Sequence, residues 1–237
     1  MWSGPRNVST ALMRSFESRA DTAVVDEPFY AAWLAATGTE HPGREEVLRR
    51  HETDWQVVVE RLLGPLEDGK RVSYQKHMAH HLLPEMDRDW IGVMQNALLI
   101  RDPARMLVSL TRIVPDPRLE DTGLVQQVEL FERLRAEGEA PPVVDAKELL
   151  LDPEGVLRAL CHRLEIPFDP AMLSWERGPR PSDGIWGRHW YAGTYRSTGF
   201  EPWEPGEPVL PRRLEKLHAR CRELWLHLHE HRLRARH

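Results

Sequence analysis

The chain has 237 residues, 41% hydrophobic and 29% charged, with a net charge of −5 and a pI near 6.2. That length holds one large domain or two small ones, that composition excludes wholesale disorder, and that charge excludes a general nucleic-acid binder, which needs a basic excess. No apolar run reaches the roughly 18 residues of a membrane span, and the first residues lack the basic and apolar regions of a signal peptide. Neither nucleic acid nor a membrane is expected as a partner. Two cysteines, Cys161 and Cys221, stand far apart without metal-ligand spacing, which fits a reduced, cytoplasmic setting better than a disulfide framework.

In chain order, Met1-Trp2-Ser3 is the only trace of a first strand, so that strand is very short or the true start lies upstream. Residues 9–20 follow as a helix, with Leu12, Met13 and Phe16 on one face. Four short apolar or β-branched runs read as strands: residues 22–26, 71–75, 96–100 and 142–145. Each is followed by a helical segment. Residues 112–121, with two prolines and alternating charges, read as a surface loop. Residues 153–164 open with a proline in the first turn and carry Val156, Leu157, Leu160 and Leu164 as a helix. Residues 175–211 hold six glycines and six prolines, a length of irregular chain that is usually functional or a lid. A last helix over residues 212–234 places Leu214, Leu217, Cys221, Leu224, Trp225 and Leu228 on one stripe and closes the domain. The alternation predicts an α/β fold of three layers, a mostly parallel sheet flanked by helices. No repeat or composition break divides it, so residues 1–237 read as one domain.

Two segments carry anion chemistry. In Ser3-Gly4-Pro5-Arg6-Asn7-Val8-Ser9-Thr10-Ala11-Leu12 a strand end turns into a helix whose first amides have no internal acceptor. Those amides, the helix dipole, the Ser9 and Thr10 hydroxyls and the fixed fork of Arg6 make an anion site. A Walker A loop would need Gly-Lys before Ser/Thr, where Asn7-Val8 stands instead. The bland alternative is an N-capped helix with a surface arginine. In Leu98-Leu99-Ile100-Arg101-Asp102-Pro103 a buried strand ends in an arginine and turns into a helix, with Ser109 about two turns on. The carboxyl edge of a parallel strand is where open α/β sheets place ligand contacts; the alternative is an arginine that only fixes the turn with Asp102.

Together these segments resemble the P-loop sulfotransferase family, nearest its bacterial members. Residues 5–12 resemble the family's 5′-phosphosulfate loop, proline-basic-serine-glycine-threonine-threonine-x-leucine, and Leu99-Ile100-Arg101-Asp102-Pro103 with Ser109 resembles its 3′-phosphate element. The resemblance implies 3′-phosphoadenosine-5′-phosphosulfate as co-substrate, bound by Pro5, Arg6, Asn7, Val8, Ser9, Thr10, Arg101 and Ser109. It also implies sulfuryl transfer to a hydroxyl or amine of a small-molecule acceptor, and no metal. Arg6 takes the place of the basic residue near the transferring group. Val8 stands at the family's glycine and Asn7 at its serine; a β-branched residue disfavours positive φ, so the loop cannot copy the glycine conformation at low cost. A fold-keeping nucleotide binder without transfer activity is the alternative, and an ATP-dependent kinase a further one.

Sulfuryl transfer needs in-line positioning, stabilised oxygens and a base for the acceptor proton. Asp26-Glu27-Pro28 ends a strand expected to adjoin that of the loop, and resembles the Glu-Pro pair whose glutamate is the base in carbohydrate sulfotransferases; a helix-terminal carboxylate is the alternative. After the next strand, Lys76-His77-Met78-Ala79-His80-His81 resembles the lysine and catalytic histidine of cytosolic sulfotransferases. Lys76 matches directly. His77 takes the histidine's place only with a one-residue gap, Met78 falls there without it, and His80 and His81 are further candidates. A zinc reading of the three histidines lacks acidic or cysteine ligands nearby. Glu27 is the first choice of base, His77 the second. Finally, residues 183–191, rich in glycine and tryptophan, loosely resemble the segment that closes over the nucleotide. There Arg188, and Arg180 before it, are candidates for the 3′-phosphate side; the alternative is an Ω-loop packed by its own aromatics.

Overall fold

The computed structural model describes residues 1–66, 69–206 and 208–234. Five strands, β1 (Trp2–Ser3), β2 (Thr22–Asp26), β3 (Val72–Met78), β4 (Leu98–Ile100) and β5 (Val143–Asp145), form one sheet in the order β2-β3-β1-β4-β5, with every pair parallel. The helices are α1 (Ser9–Glu17), α2 (Tyr30–Thr37), α3 (Arg44–Arg50), α4 (Trp55–Leu62), α5 (Pro103–Leu110), α6 (Leu124–Ala136), α7 (Ala146–Leu151), α8 (Pro153–Arg163), α9 (Gly187–Trp190) and α10 (Glu215–His229). None of them is long and apolar enough to cross a membrane.

The period of two along each strand divides the core. Trp2, Leu98, Ile100 and Val143 face α6 and α10, burying against Leu130, Phe131, Leu134 and Leu228. Leu99 and Val144 face α1 and α8, against Leu12, Met13, Phe16, Val156, Leu157 and Leu160. The strands are buried on both faces, which is why their sequences are continuous apolar runs. Asparagine-free starts with Asp-Pro open two of the helices: Asp102 caps α5 by accepting from the Arg105 amide, and Asp152 caps α8 by accepting from the Gly155 amide, each with proline at the next position.

Two expectations change. The third strand runs on through Lys76 and His77 to Met78, rather than ending at residue 75. The first strand's neighbours are β3 and β4, so β2 does not adjoin it; β3 lies between. Pairing decides both points, because the polar end of β3 finds partners on each side: Asp26 stands opposite Lys76 and Trp2 opposite His77.

Candidate functional site

The loops at the carboxyl edge of the sheet enclose a cleft of ≈ 520 Å³ lined by Pro5, Arg6, Asn7, Val8, Ser9 and Thr10, by Glu27 and Lys76, and by Arg101. Loop and helix make its floor. Gly4 carries the chain past α6's preceding turn so closely that a Cβ there would lie 2.4 Å from the Thr122 carbonyl oxygen. Val8 then adopts φ 60°, ψ 19°, the left-handed conformation, and starts α1 without any side-chain cap. Among the described residues the amides of Ser9, Thr10 and Ala11 have no acceptor; the Leu12 amide is the first bound, to the Val8 carbonyl. A valine thus takes up the glycine-like conformation, at a cost of roughly 1–2 kcal/mol.

Arg6, also at positive φ, turns its guanidinium toward α5, where Nε donates to Ser109 Oγ at 2.9 Å. Arg101 Nη1 donates to the Arg6 carbonyl at 2.6 Å, and its Nε is buried without a partner. Burial, and then repulsion from Arg105 and Arg6, pulls the Arg101 pKa down; burial, and then Arg112, does the same to Arg6. The two segments therefore meet in one cationic corner, with Arg6 reaching Ser109 of the second. Asn7 Nδ2 holds the loop to β4 by donating to the Leu99 carbonyl at 3.3 Å.

Beside this corner lies a buried cluster of charges. Lys76 Nζ donates to Asp26 Oδ1 at 2.8 Å, to Glu27 Oε1 at 2.6 Å and to the Tyr191 hydroxyl at 2.6 Å. Burial works against the Lys76 ammonium, but the two carboxylates outweigh it and its pKa stands above the ordinary value. Burial raises the Glu27 carboxyl above its usual range; Lys76 pulls against that rise and Asp26 adds to it. The Tyr191 hydroxyl lies 2.8 Å from Asp26 Oδ2 and 3.0 Å from Glu27 Oε1. Tyr191 belongs to the Gly/Pro-rich segment, which is tied down just before it: Arg14 donates to Asp183 at 2.7 Å, and the Gly184 amide donates to Asp26 Oδ2 at 3.0 Å. Gly184 is required there, since a Cβ would lie 2.0 Å from the Trp186 ring.

The remaining candidates divide. His77 is displaced from the cleft. Being next to Lys76 on a strand, it faces the other side of the sheet, where its ring stacks on Trp2 at 4.1 Å and lies 5.6 Å from Phe29. Burial holds it neutral, and Nε2 lies 3.1 Å from Gln75 Oε1. It packs in the core, outside the lining of the cleft. Met78, His80 and His81 do line the cleft. Arg188 is exposed and ion-paired with Glu46, outside the lining, and Arg180 pairs with Glu176 at 3.6 Å. What the segment of residues 183–191 brings to the cleft instead is aromatic: Trp190 and Tyr191. Asp26 and Tyr191 were not among the sequence candidates; the Asp-Glu pair was a signal for the first, and nothing local marks the second. Among the described residues no group of three or more His, Cys, Asp or Glu side chains is placed to hold a metal ion.

Comparison with known proteins places this geometry. The family model for a sulfotransferase domain matches residues 1–219. Two curated proteins of Arabidopsis thaliana, named branched-chain-amino-acid aminotransferase-like proteins 1 and 2, are 42% and 40% identical over 199 and 200 residues, 84% of this chain in each case. The chain spans about a third of their length, 36% and 35%. The solved sulfotransferase domain of a Synechococcus olefin synthase shares the fold, with a TM-score of 0.53 at 15% identity over 92% of each chain. With its parallel sheet, its strand-loop-helix at the anion corner and a match over nearly its whole length, the chain belongs to the sulfotransferase-domain family.

Proposed function

We propose that the chain transfers a sulfuryl group from 3′-phosphoadenosine-5′-phosphosulfate to the hydroxyl of a small molecule. One observation carries this reading: Arg6 and Arg101 are partly buried side by side, joined by the bond from Arg101 to the Arg6 carbonyl, with Arg6 also bonded to Ser109, and form no ion pair among the described residues. Two such cations, an orphan guanidinium N–H and three open amides at a helix start ask for a ligand with more than one anionic group. The 5′-phosphosulfate suits the α1 amides with Ser9 and Thr10, and the 3′-phosphate suits Arg101 with Ser109. Arg6 reaches between the two.

Glu27 is the base in this reading. It lines the cleft, and a carboxylate whose pKa is raised by burial is the stronger acceptor once ionised. As the acceptor oxygen bonds to sulfur, its proton passes to Glu27. The bond from sulfur to the bridging phosphate oxygen breaks, and 3′-phosphoadenosine-5′-phosphate leaves. Lys76, held by Asp26, balances Glu27 before transfer and stands beside the charge that moves. Calorimetry tests the donor site directly. The bisphosphate should bind about 10-fold or more tightly than ADP, because a charge-assisted contact is worth about 1.5–3 kcal/mol. Equal affinities would remove the 3′-phosphate assignment and with it the proposed donor.

A further inference from the structure

The cleft has a second end, opposite in character to the cationic corner. Its walls are rings: Tyr30, Trp33, His41, His80, His81 and Trp190. They pack as a cage. The His41 ring centre lies 5.2 Å from Trp33 and 5.3 Å from Trp190, Trp33 lies 5.0 Å from His81 and 5.3 Å from His80, and Tyr30 stacks on His81 at 5.1 Å. The imidazoles bring no charge. Burial lowers His41, takes His80 down to about 3 and holds His81 well below its ordinary value. The Nδ1 atoms of His80 and His81 are buried without a hydrogen-bond partner among the described residues, and His81 is only 2% exposed. Two carboxylates, Glu40 and Asp121, line the same end and form no ion pair among the described residues; Asp121 accepts the Arg118 amide at 2.7 Å. Two cations stand near this end: the Arg118 side chain, which lines it, is exposed, and Arg6 Nη1 reaches the Trp190 carbonyl at 3.5 Å from the cationic corner.

A cage of this kind matches one class of ligand. Ring faces carry the negative lobe of the aromatic quadrupole and attract a cation, most strongly once it is stripped of water. Neutral imidazole nitrogens without partners accept N–H groups, and unpaired carboxylates balance a positive charge at the rim. An anionic acceptor would meet Glu40 and Asp121 with like charge. Beyond the rings, Leu110, Ile113, Val114 and Pro115 form an apolar wall that suits a hydrocarbon body. Tyr30 links this end to the proposed base, since its amide donates to the Glu27 carbonyl at 3.0 Å.

We infer that this end of the cleft is the acceptor site, and that it takes a hydroxyl-bearing organic amine in its ammonium form. The ammonium lies among the Trp33, Trp190 and histidine rings, with Asp121 and Glu40 at the rim, and the hydroxyl reaches toward Glu27. This inference rests on the transfer reaction proposed above for the role of the site, and on the cage alone for the charge of its ligand.

Calorimetry on the full chain, with and without bound 3′-phosphoadenosine-5′-phosphate, compares three probes on one framework: tyramine, 4-ethylphenol and 4-hydroxyphenylacetate. Tyramine should bind about 10-fold or more tightly than 4-ethylphenol, as expected for a desolvated cation on aromatic faces. Asp121→Asn and Glu40→Gln, both at the rim, should each weaken tyramine several-fold and leave 4-ethylphenol and the thermal midpoint unchanged. Equal or tighter binding of 4-ethylphenol or of 4-hydroxyphenylacetate, or no binding of tyramine, would overturn the inference. Failure of the bisphosphate to bind, with tyramine still selected by charge on the free chain, would instead remove the donor reading and leave the cage standing.

Discussion

Tyr191→Phe removes one oxygen from the centre of the buried cluster, and the geometry fixes what is lost. The hydroxyl accepts from Lys76 Nζ at 2.6 Å and from Trp186 Nε1 at 3.1 Å, while its single proton is shared among Asp26, at 2.8 Å, and Glu27, at 3.0 Å. Lys76 keeps both carboxylates, and Asp26 keeps Lys76 and the Gly184 amide, so neither is orphaned. The Trp186 N–H is orphaned in the core, and two charge-assisted bonds disappear, the one from Lys76 and the one to the carboxylates. At about 1–3 kcal/mol for each of these losses, stability should fall by about 3 kcal/mol or more out of a typical 5–15 kcal/mol. The groups facing Glu27 also fix the sign of a kinetic effect. Burial and Asp26 raise its pKa, while Lys76 and the Tyr191 hydroxyl lower it. Without the hydroxyl the pKa rises further, so the acidic limb of the pH–rate profile must move to higher pH. Urea denaturation and a profile of kcat/KM measure the two. A variant within about 0.5 kcal/mol of the parent chain and with an unmoved limb would show that the hydroxyl is not bonded to the base.

Glu27→Gln should lower turnover by roughly 100–10,000-fold at unchanged affinity for the bisphosphate, while His77→Phe, which keeps a ring against Trp2, should stay active; the reverse pattern in a sulfuryl-transfer assay would exclude Glu27 as the base. The buried imidazoles set an acid limit on stability. His80 has its pKa pulled by burial to about 3, so folding stability is complete above the ordinary value of 6.5 and is lost as pH falls below it. By pH 5 this one group costs about 2 kcal/mol, and His77 and His81, also depressed by burial, act in the same direction. Glu27, whose pKa is raised, opposes them above 4.5 as a single group against three. Urea midpoints at pH 7.5 and pH 5 measure the balance, and equal midpoints would show that these rings are not buried as neutral groups.

Local pattern made most of the scaffold legible. Residues 22–26 stand as read, and the two Asp-Pro helix starts mark α5 and α8 to the residue. What escaped was what depends on partners far along the chain. Lys76 and His77 look like the end of an apolar run, yet β3 continues through them because Asp26 neutralises the first and Trp2 stacks on the second. Once both lie on one strand they must face opposite ways, and only Lys76 can reach the cleft. Counting residues from a family pattern, with a gap, could not reveal that alternation. Tyr191 sits 115 residues from Lys76, and no spacing in the sequence brings it there. The basic character of Arg188 was equally visible, but its position on the outer side of the segment, against Glu46, comes from packing of Trp186 and Tyr191 inward.

The cleft is also where the backbone is strained, and the strain explains how unlike sequence makes a like site. Among the described residues, four other than glycine have positive φ, and three of them, Arg6, Val8 and Glu27, line the cleft. Such conformations cost about 1–3 kcal/mol each and persist where the surroundings fix them. For Val8 the compensation is visible: its side chain packs on the core layer of Leu12, Met13 and Phe16, contact that a glycine would forgo. The loop keeps its open amides by burying a side chain where its family uses conformational freedom. Glu27 shows what the strain accomplishes. Asp26 and Glu27 are adjacent, and in regular extended chain they would point to opposite faces of the sheet. Strand β2 ends at Asp26, and φ of 42° at Glu27 swings the second carboxylate back to the same side. Both then reach Lys76 Nζ, at 2.8 and 2.6 Å, and only the outer one faces the cleft. One carboxylate anchors the lysine and the other is left at the surface of the cleft, where the proposed proton transfer needs it, a division of labour that a regular strand could not supply.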